Sequence, residues 1–267
     1  RNSNHTYRGM VTLKQALAGS INTVSAKLID RTGPEAVVEL TKKLGVKTEI
    51  PVQPSIALGA VDITVEDMVA AYSTFANQGV YVKPQFLSRI ENKSGEVIYE
   101  PIPESHDVLN KDIAFAVIKL LQGVTESGSG VRLRTQGGGS GDNRWTGYPY
   151  MFTNPIAGKT GTTQNQSDGW FMGMVPNLVT GVWVGCEDRS ARFKGITYGQ
   201  GATAALPIWG YMMKKCYEDK DLQISKDPFQ RPDNLSIKVD CWSPPKAETD
   251  STAVDNPEEQ STDEFEM

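Results

Sequence analysis

Apolar residues fall first in helical spacing along this chain, and later in strand-like runs between turn residues. Leu13, Ala16 and Leu17 predict a short helix from Thr12 to about Ala18, broken by Gly19-Ser20. A second helix is expected from about Asn22 to Asp30, with Val24, Leu28 and Ile29 turned inward. Gly33-Pro34 stops it and starts a third, which reaches about Leu44 and has Gly45 as its terminal glycine. Thr64-Val65-Glu66-Asp67 resembles a capping box with Asp for the usual Glu, and it opens a helix through about Ala76 that ends at Gly79. Tyr81–Glu91 and Val97–Tyr99 flank the turn residues Asn92-Lys93-Ser94-Gly95 and predict a hairpin. Asn110 caps a long helix to about Leu121, with Ala114, Val117, Ile118 and Leu121 on one face.

Residues 127–150 read as loop. The run Gly137-Gly138-Gly139-Ser140-Gly141 lacks the order of a phosphate-binding loop and a following helix, which favours a surface loop. Three strands follow, over about 155–161, 168–176 and 179–186, with Pro176-Asn177 in the last turn. Such short connections imply an antiparallel meander, centred on the strand that carries Lys159-Thr160-Gly161. A helix from Ala202 to Tyr217 closes the core, with Pro207 near its first turn and Met212 and Met213 packed inward. Leu235–Val239 adds an edge strand. The order of elements gives an α+β class, an antiparallel sheet flanked by helices. Residues 1–242 form the folded part. Residues 243–267, rich in Pro, Glu, Asp, Ser and Thr, form a disordered acidic tail.

Charge sharpens that division. The net charge is −5, but residues 246–267 alone hold eight acids and one lysine. The other 245 residues carry 26 basic and 24 acidic side chains, with no basic stripe of the kind nucleic acid requires. No apolar run reaches the roughly 18 residues of a membrane span. Cys186, Cys216 and Cys241 form no CxxC pair and read as buried free thiols, with a disulfide between two of them as the alternative. His5 and His106 are the only histidines, so neither a zinc site nor any other cofactor is expected. The chain opens on Arg1, as a processed product or a piece of a longer protein would.

The chemistry lies in Lys159-Thr160-Gly161-Thr162-Thr163. A lysine holds negative charge, a glycine admits close backbone approach, and threonines offer hydroxyl and N–H donors. A strand at a sheet edge with this composition lines a pocket for an acylating substrate. Both histidines read as solvated surface residues, so a Ser-His-Asp triad is poorly supported and a Ser-Lys system is the alternative. Ser20-Ile21-Asn22 sits at a break between two helices, where short polar side chains face a cleft or where Ser20 merely caps the second helix.

Ser-x-Asn upstream of Lys-Thr-Gly is the order found in serine β-lactamases and penicillin-binding proteins. The flanks are more specific than the tripeptides: Tyr7–Leu28, Ala70–Pro84, Pro155–Gly173, Val179–Gly185 and Ala204–Trp209. Together they resemble the transpeptidase domain of class A, bifunctional, penicillin-binding proteins over about residues 7–215. The resemblance implies the β-lactamase/transpeptidase-like fold, incomplete at its N-terminus. It implies peptidoglycan cross-linking on D-Ala-D-Ala stem peptides, β-lactam binding, and a periplasm-facing place at the plasma membrane. It also implies an N-terminal membrane anchor and a glycosyltransferase domain before Arg1. Ser20 would relay protons, Asn22 would bond a substrate carbonyl, and Lys159 would supply positive charge. Thr160 and Thr162 would bind the terminal carboxylate, the Thr162 N–H would form half of an oxyanion hole, and Gly161 would open the backbone to substrate. The family's Ser-x-x-Lys nucleophile is expected before Arg1, because the single such string, Ser243-Pro-Pro-Lys246, holds two prolines that disrupt a helical turn. A D,D-carboxypeptidase or β-lactamase of the same fold, or a non-catalytic penicillin sensor, remains the alternative.

Overall fold

A computed structural model describes residues 2, 7, 9–134 and 148–239. Thr12 starts α1 (Leu13–Ala18) with a reciprocal cap. Its hydroxyl accepts the Gln15 N–H at 3.2 Å, and the Gln15 side chain accepts the Thr12 N–H at 3.0 Å. α2 (Asn22–Thr32) and α3 (Pro34–Lys43) follow, joined across Gly33 at φ +81°. Ile29 is buried, but Leu28 is 42% exposed, against expectation. Consecutive helical residues point well apart, and here only one of the pair meets the core.

α4 (Val65–Ala76) opens at Thr64, whose hydroxyl accepts the Asp67 N–H. The capping box stays half made. Asp67 is one methylene shorter than Glu, and its carboxylate instead accepts the Lys47 N–H at 3.1 Å. The segment beyond α4 holds β1 (Val80–Val82), β2 (Ile90–Glu91), β3 (Val97–Tyr99) and β4 (Ser105–Asp107). β2 and β3 make the expected hairpin, but β1 pairs with β4. The single strand expected over Tyr81–Glu91 is thus split, and Pro84, with no N–H to donate, falls in the break.

α5 (Lys111–Ser127) is capped by Asn110 and runs past its expected end at Leu121, burying Gln122, Gly123, Val124 and Thr125. Gly123 is what lets it pack on α1, since a Cβ there would lie 2.8 Å from side-chain carbons of Lys14. β5 (Ala157–Thr162), β6 (Asp168–Val175) and β7 (Leu178–Gly185) form the main antiparallel sheet in that order. β6 is therefore the centre of the meander, and among the described residues the Lys-Thr-Gly strand is an edge, as its composition suggests, rather than the centre.

The helix expected over Ala202–Tyr217 is two, α7 (Gly201–Ala204) and α8 (Leu206–Glu218), preceded by the single turn α6 (Ile196–Gly199). The break at Ala205 lies just before Pro207, whose ring would clash with the carbonyl four residues back in a continuous helix. Leu235–Val239 forms no strand; Leu235 and Val239 pack against the cluster of Phe115, Ile118 and Phe229. Cys186 is exposed and Cys216 half-buried, so the expectation of buried thiols fails for Cys186. His106 is exposed, with Nε2 2.9 Å from the Lys43 carbonyl oxygen. The glycine run at 137–141, His5, Cys241 and the tail at 243–267 lie outside the described residues.

The core against α8 is centred on Trp209 and Phe171, both fully buried, with ring centroids 5.3 Å apart edge to face. Gly173 makes room for the indole, since a Cβ there would come within 2.4 Å of it. This packing holds β6 in place, and β6 in turn holds β5. Trp209→Ala is expected to lower unfolding free energy by about 3–5 kcal/mol, measured by urea denaturation.

Candidate active site

The site forms at the free edge of β5. Its parity follows from one bond. The Thr163 N–H donates to the Asp168 carbonyl at 3.2 Å, and residue pairs in an antiparallel ladder alternate between bonded and unbonded. The backbone groups of Thr160 and Thr162 therefore point away from β6, toward the open edge. Their side chains share one face, and the Lys159 side chain leaves from the other.

Ser20 comes to this edge from 139 residues upstream. Lys159 Nζ donates to Ser20 Oγ at 2.9 Å and to the Thr160 carbonyl at 2.8 Å. Burial pushes the Lys159 ammonium down from the usual 10.5 to about 8. The lysine thus stays mostly protonated at neutral pH and donates to both oxygens.

The turn that delivers Ser20 is strained. Ser20 has φ +50°, a left-handed conformation that costs a non-glycine residue about 1–3 kcal/mol. Two backbone bonds hold it there: Ser20 N–H to the Leu17 carbonyl at 3.1 Å and Ile21 N–H to the Ala16 carbonyl at 2.9 Å. Asn22, half-buried, opens α2 two residues later.

Each threonine has a fixed neighbour. Thr160 Oγ1 lies 2.5 Å from Ser129 Oγ. Thr162 Oγ1 accepts the Gly201 N–H at 3.0 Å, which leaves its own proton free to donate. Gly201 must be glycine, because a Cβ would fall 2.2 Å from the Gly161 carbonyl oxygen. A Cβ on Gly161 itself would meet Trp170 at 3.0 Å.

All six expected residues, Ser20, Asn22 and Lys159 to Thr162 with Gly161 between the threonines, thus lie on two segments, the Ser20 turn and β5. The Lys159 bond to Ser20 joins the segments. Sequence reasoning missed Ser129 and Gly201. Ser129 ties the same two segments together, since its N–H donates to the Ala18 carbonyl at 3.1 Å while its hydroxyl meets Thr160. Gly128 allows this contact: a Cβ there would lie 2.3 Å from the Ala18 carbonyl oxygen. The available signal was the Gly128-Ser129-Gly130 run directly after a helix, where small residues mark close backbone approach.

The chain is similar to known proteins. The family model described as "Penicillin binding protein transpeptidase domain" matches residues 1–188. Penicillin-binding protein 1A of Aquifex aeolicus (strain VF5) is 36% identical over 234 residues, covering 86% of this chain and 29% of the relative. The crystal structure of penicillin-binding protein 1A from Haemophilus influenzae superposes with a TM-score of 0.72 at 23% identity, over 88% of this chain and 38% of that one. The PonA1 protein from Mycobacterium tuberculosis in complex with penicillin V gives 0.69 at 23%, over 87% and 62%. At these identities the two structures show a shared fold, the β-lactamase-like fold of penicillin-binding transpeptidases. The chain spans less than a third of the length of the Aquifex relative.

The Ser20 strain has a measurable consequence. Ser20→Gly is expected to be more stable than Ser20→Ala by about 1 kcal/mol, because only glycine adopts a left-handed φ at no cost. Chemical denaturation of the two variants measures this, and equal stability would contradict the conformation.

Proposed function

The chain belongs to the penicillin-binding protein transpeptidase family, and from that premise we propose that it forms one wall of a serine D,D-transpeptidase site that cross-links peptidoglycan. The Lys159–Ser20 contact carries this reading, because it supplies a cation and a proton-relaying hydroxyl at an open strand edge. The attacking serine is assigned to the longer protein, since the one Ser-x-x-Lys string in residues 1–267 contains two prolines.

In the acylation step, the seryl oxygen attacks the carbonyl carbon of the penultimate D-Ala and gives up its hydroxyl proton, which is passed on toward Ser20. The C–N bond to the terminal D-Ala breaks, and the departing amine takes a proton through the Ser20 hydroxyl. In the second step, an amine of a neighbouring stem attacks the acyl-serine, the C–O bond breaks, and the amine proton returns by the same route to the departing serine oxygen. Lys159 favours both steps by holding the Ser20 oxygen and raising the positive potential. The outward Thr162 N–H serves as one oxyanion donor, and such a donor contributes about 2.7–4 kcal/mol to lowering the barrier.

The terminal carboxylate of the substrate, or of a β-lactam, binds the Thr160 and Thr162 hydroxyls on their shared face. Thr162 has its proton available because it accepts from Gly201. Gly161 keeps the edge open to substrate backbone, and Asn22 takes a substrate peptide carbonyl. A protein with this activity works in the cell envelope, at the outer face of the plasma membrane. Among the described residues no helix is long and apolar enough to cross a membrane, so anchoring is assigned to a segment outside them.

The test is covalent labelling with a fluorescent penicillin. The longer protein is expected to form an adduct, and Ser20→Ala is expected to slow its formation by about a hundredfold or more. Residues 1–267 alone are expected to form none. An unlabelled longer protein would sink the transpeptidase reading, and an adduct on residues 1–267 would overturn the assignment of the nucleophile.

A further inference from the structure

A cavity of about 580 Å³ lies between α5, residues 153–155 and residues 228–231. None of Ser20, Asn22 and Lys159 to Thr162 lines it. Its wall carries three cations, Lys119, Arg134 and Arg231, and one carboxylate, Glu126. Lys14 already holds Glu126 at 2.8 Å, so the balance of charge facing the cavity is positive.

Arg134 is the informative member. Its guanidinium donates to the carbonyls of Phe152 and Asn154 and to the Thr125 hydroxyl, all neutral oxygens. Burial lowers its affinity for a proton, and the Glu126 carboxylate, shared with Lys14, offsets this only in part. Gln122 is a second, independent sign. It is only 7% exposed, it lines the cavity, and its side-chain amide has no partner among the described residues. Water in the cavity can serve this amide, and a ligand peptide group that bonds it takes the place of that water.

The walls set the ligand class. Phe115 and Phe229 are apolar, and the volume exceeds what one inorganic anion fills. A guanidinium edge matches a planar carboxylate, and a primary amide matches a peptide group. We propose that this cavity is a second binding site, for a short acidic peptide.

The site also touches the root of β5. Thr125, which accepts from Arg134, donates to the Ile156 carbonyl at 2.6 Å, one residue before the strand begins. A bound carboxylate would therefore act on a group that already braces the Lys-Thr-Gly strand.

Titration calorimetry of protein containing this chain, with acetyl-Glu-Glu-amide as the probe, tests the proposal. Saturable binding is expected, weakening with salt and weakening about tenfold in Arg231→Ala and in Lys119→Ala. Circular dichroism confirms that these two surface variants fold. Gln122→Leu is expected to weaken the acidic peptide as well. Lys159→Ala is expected to leave this binding unchanged. Four results would each overturn the proposal: no saturable binding at millimolar peptide, equal affinity for acetyl-Gln-Gln-amide, equal affinity for inorganic phosphate, or loss of binding in Lys159→Ala.

Discussion

A lysine ammonium half-buried at an open strand edge is the constraint on which the rest of this structure depends. Water does not fully solvate Lys159, so fixed oxygens must do so, and the structure supplies two, the Ser20 hydroxyl and the Thr160 carbonyl. That requirement explains several otherwise costly features. Ser20 accepts a left-handed backbone in order to place its oxygen within 2.9 Å. Among the described residues β5 has no strand on one side, where a neighbour would take the Thr160 carbonyl for itself. The strain and the unpaired edge both mark a site built for chemistry rather than for stability.

The scaffold meets these demands through close backbone contacts. α5 is the common support. Its Thr125 hydroxyl donates to the carbonyl just before β5, and its terminal Gly128 lies against the end of α1. Ser129 then bonds to both partners at once. On the far side of β5, β6 is pinned by Trp209 through Gly173 and Phe171. The two segments that carry chemistry are therefore positioned by one helix, one glycine contact and one indole. Small residues recur at these junctions because a Cβ would push the segments apart at the distances the site requires.

The sequence made the chemistry more legible than its geometry. Lys159 to Thr163 and the Ser20-Ile21-Asn22 run were readable because the residue types themselves define the donors and charges needed. The helices that begin at Thr12, Thr64 and Asn110 were readable because capping is local, satisfied within three residues. Composition suggested an edge for Lys159 to Thr163, but strand order was not readable, since which strand of a meander lies at its centre depends on tertiary pairing. Nor was the split of α7 from α8, where Pro207 signals a first turn equally well for a long helix preceding it or a new one. Leu235 and Val239 have strand-like composition, but they serve as apolar anchors against α5 and find no ladder partner. Ser129 escaped notice because its role arises from two partners, Ala18 and Thr160, that are far away in sequence.

The most direct measurement is the titration of Lys159 Nζ, followed by NMR in protein carrying isotope-labelled lysine, with Lys159→Arg used to assign the signal. Burial at the β5 edge predicts a midpoint near 8. A midpoint at the usual 10.5 would show a solvated lysine and contradict the account of this edge as a desolvated, serine-bound cation.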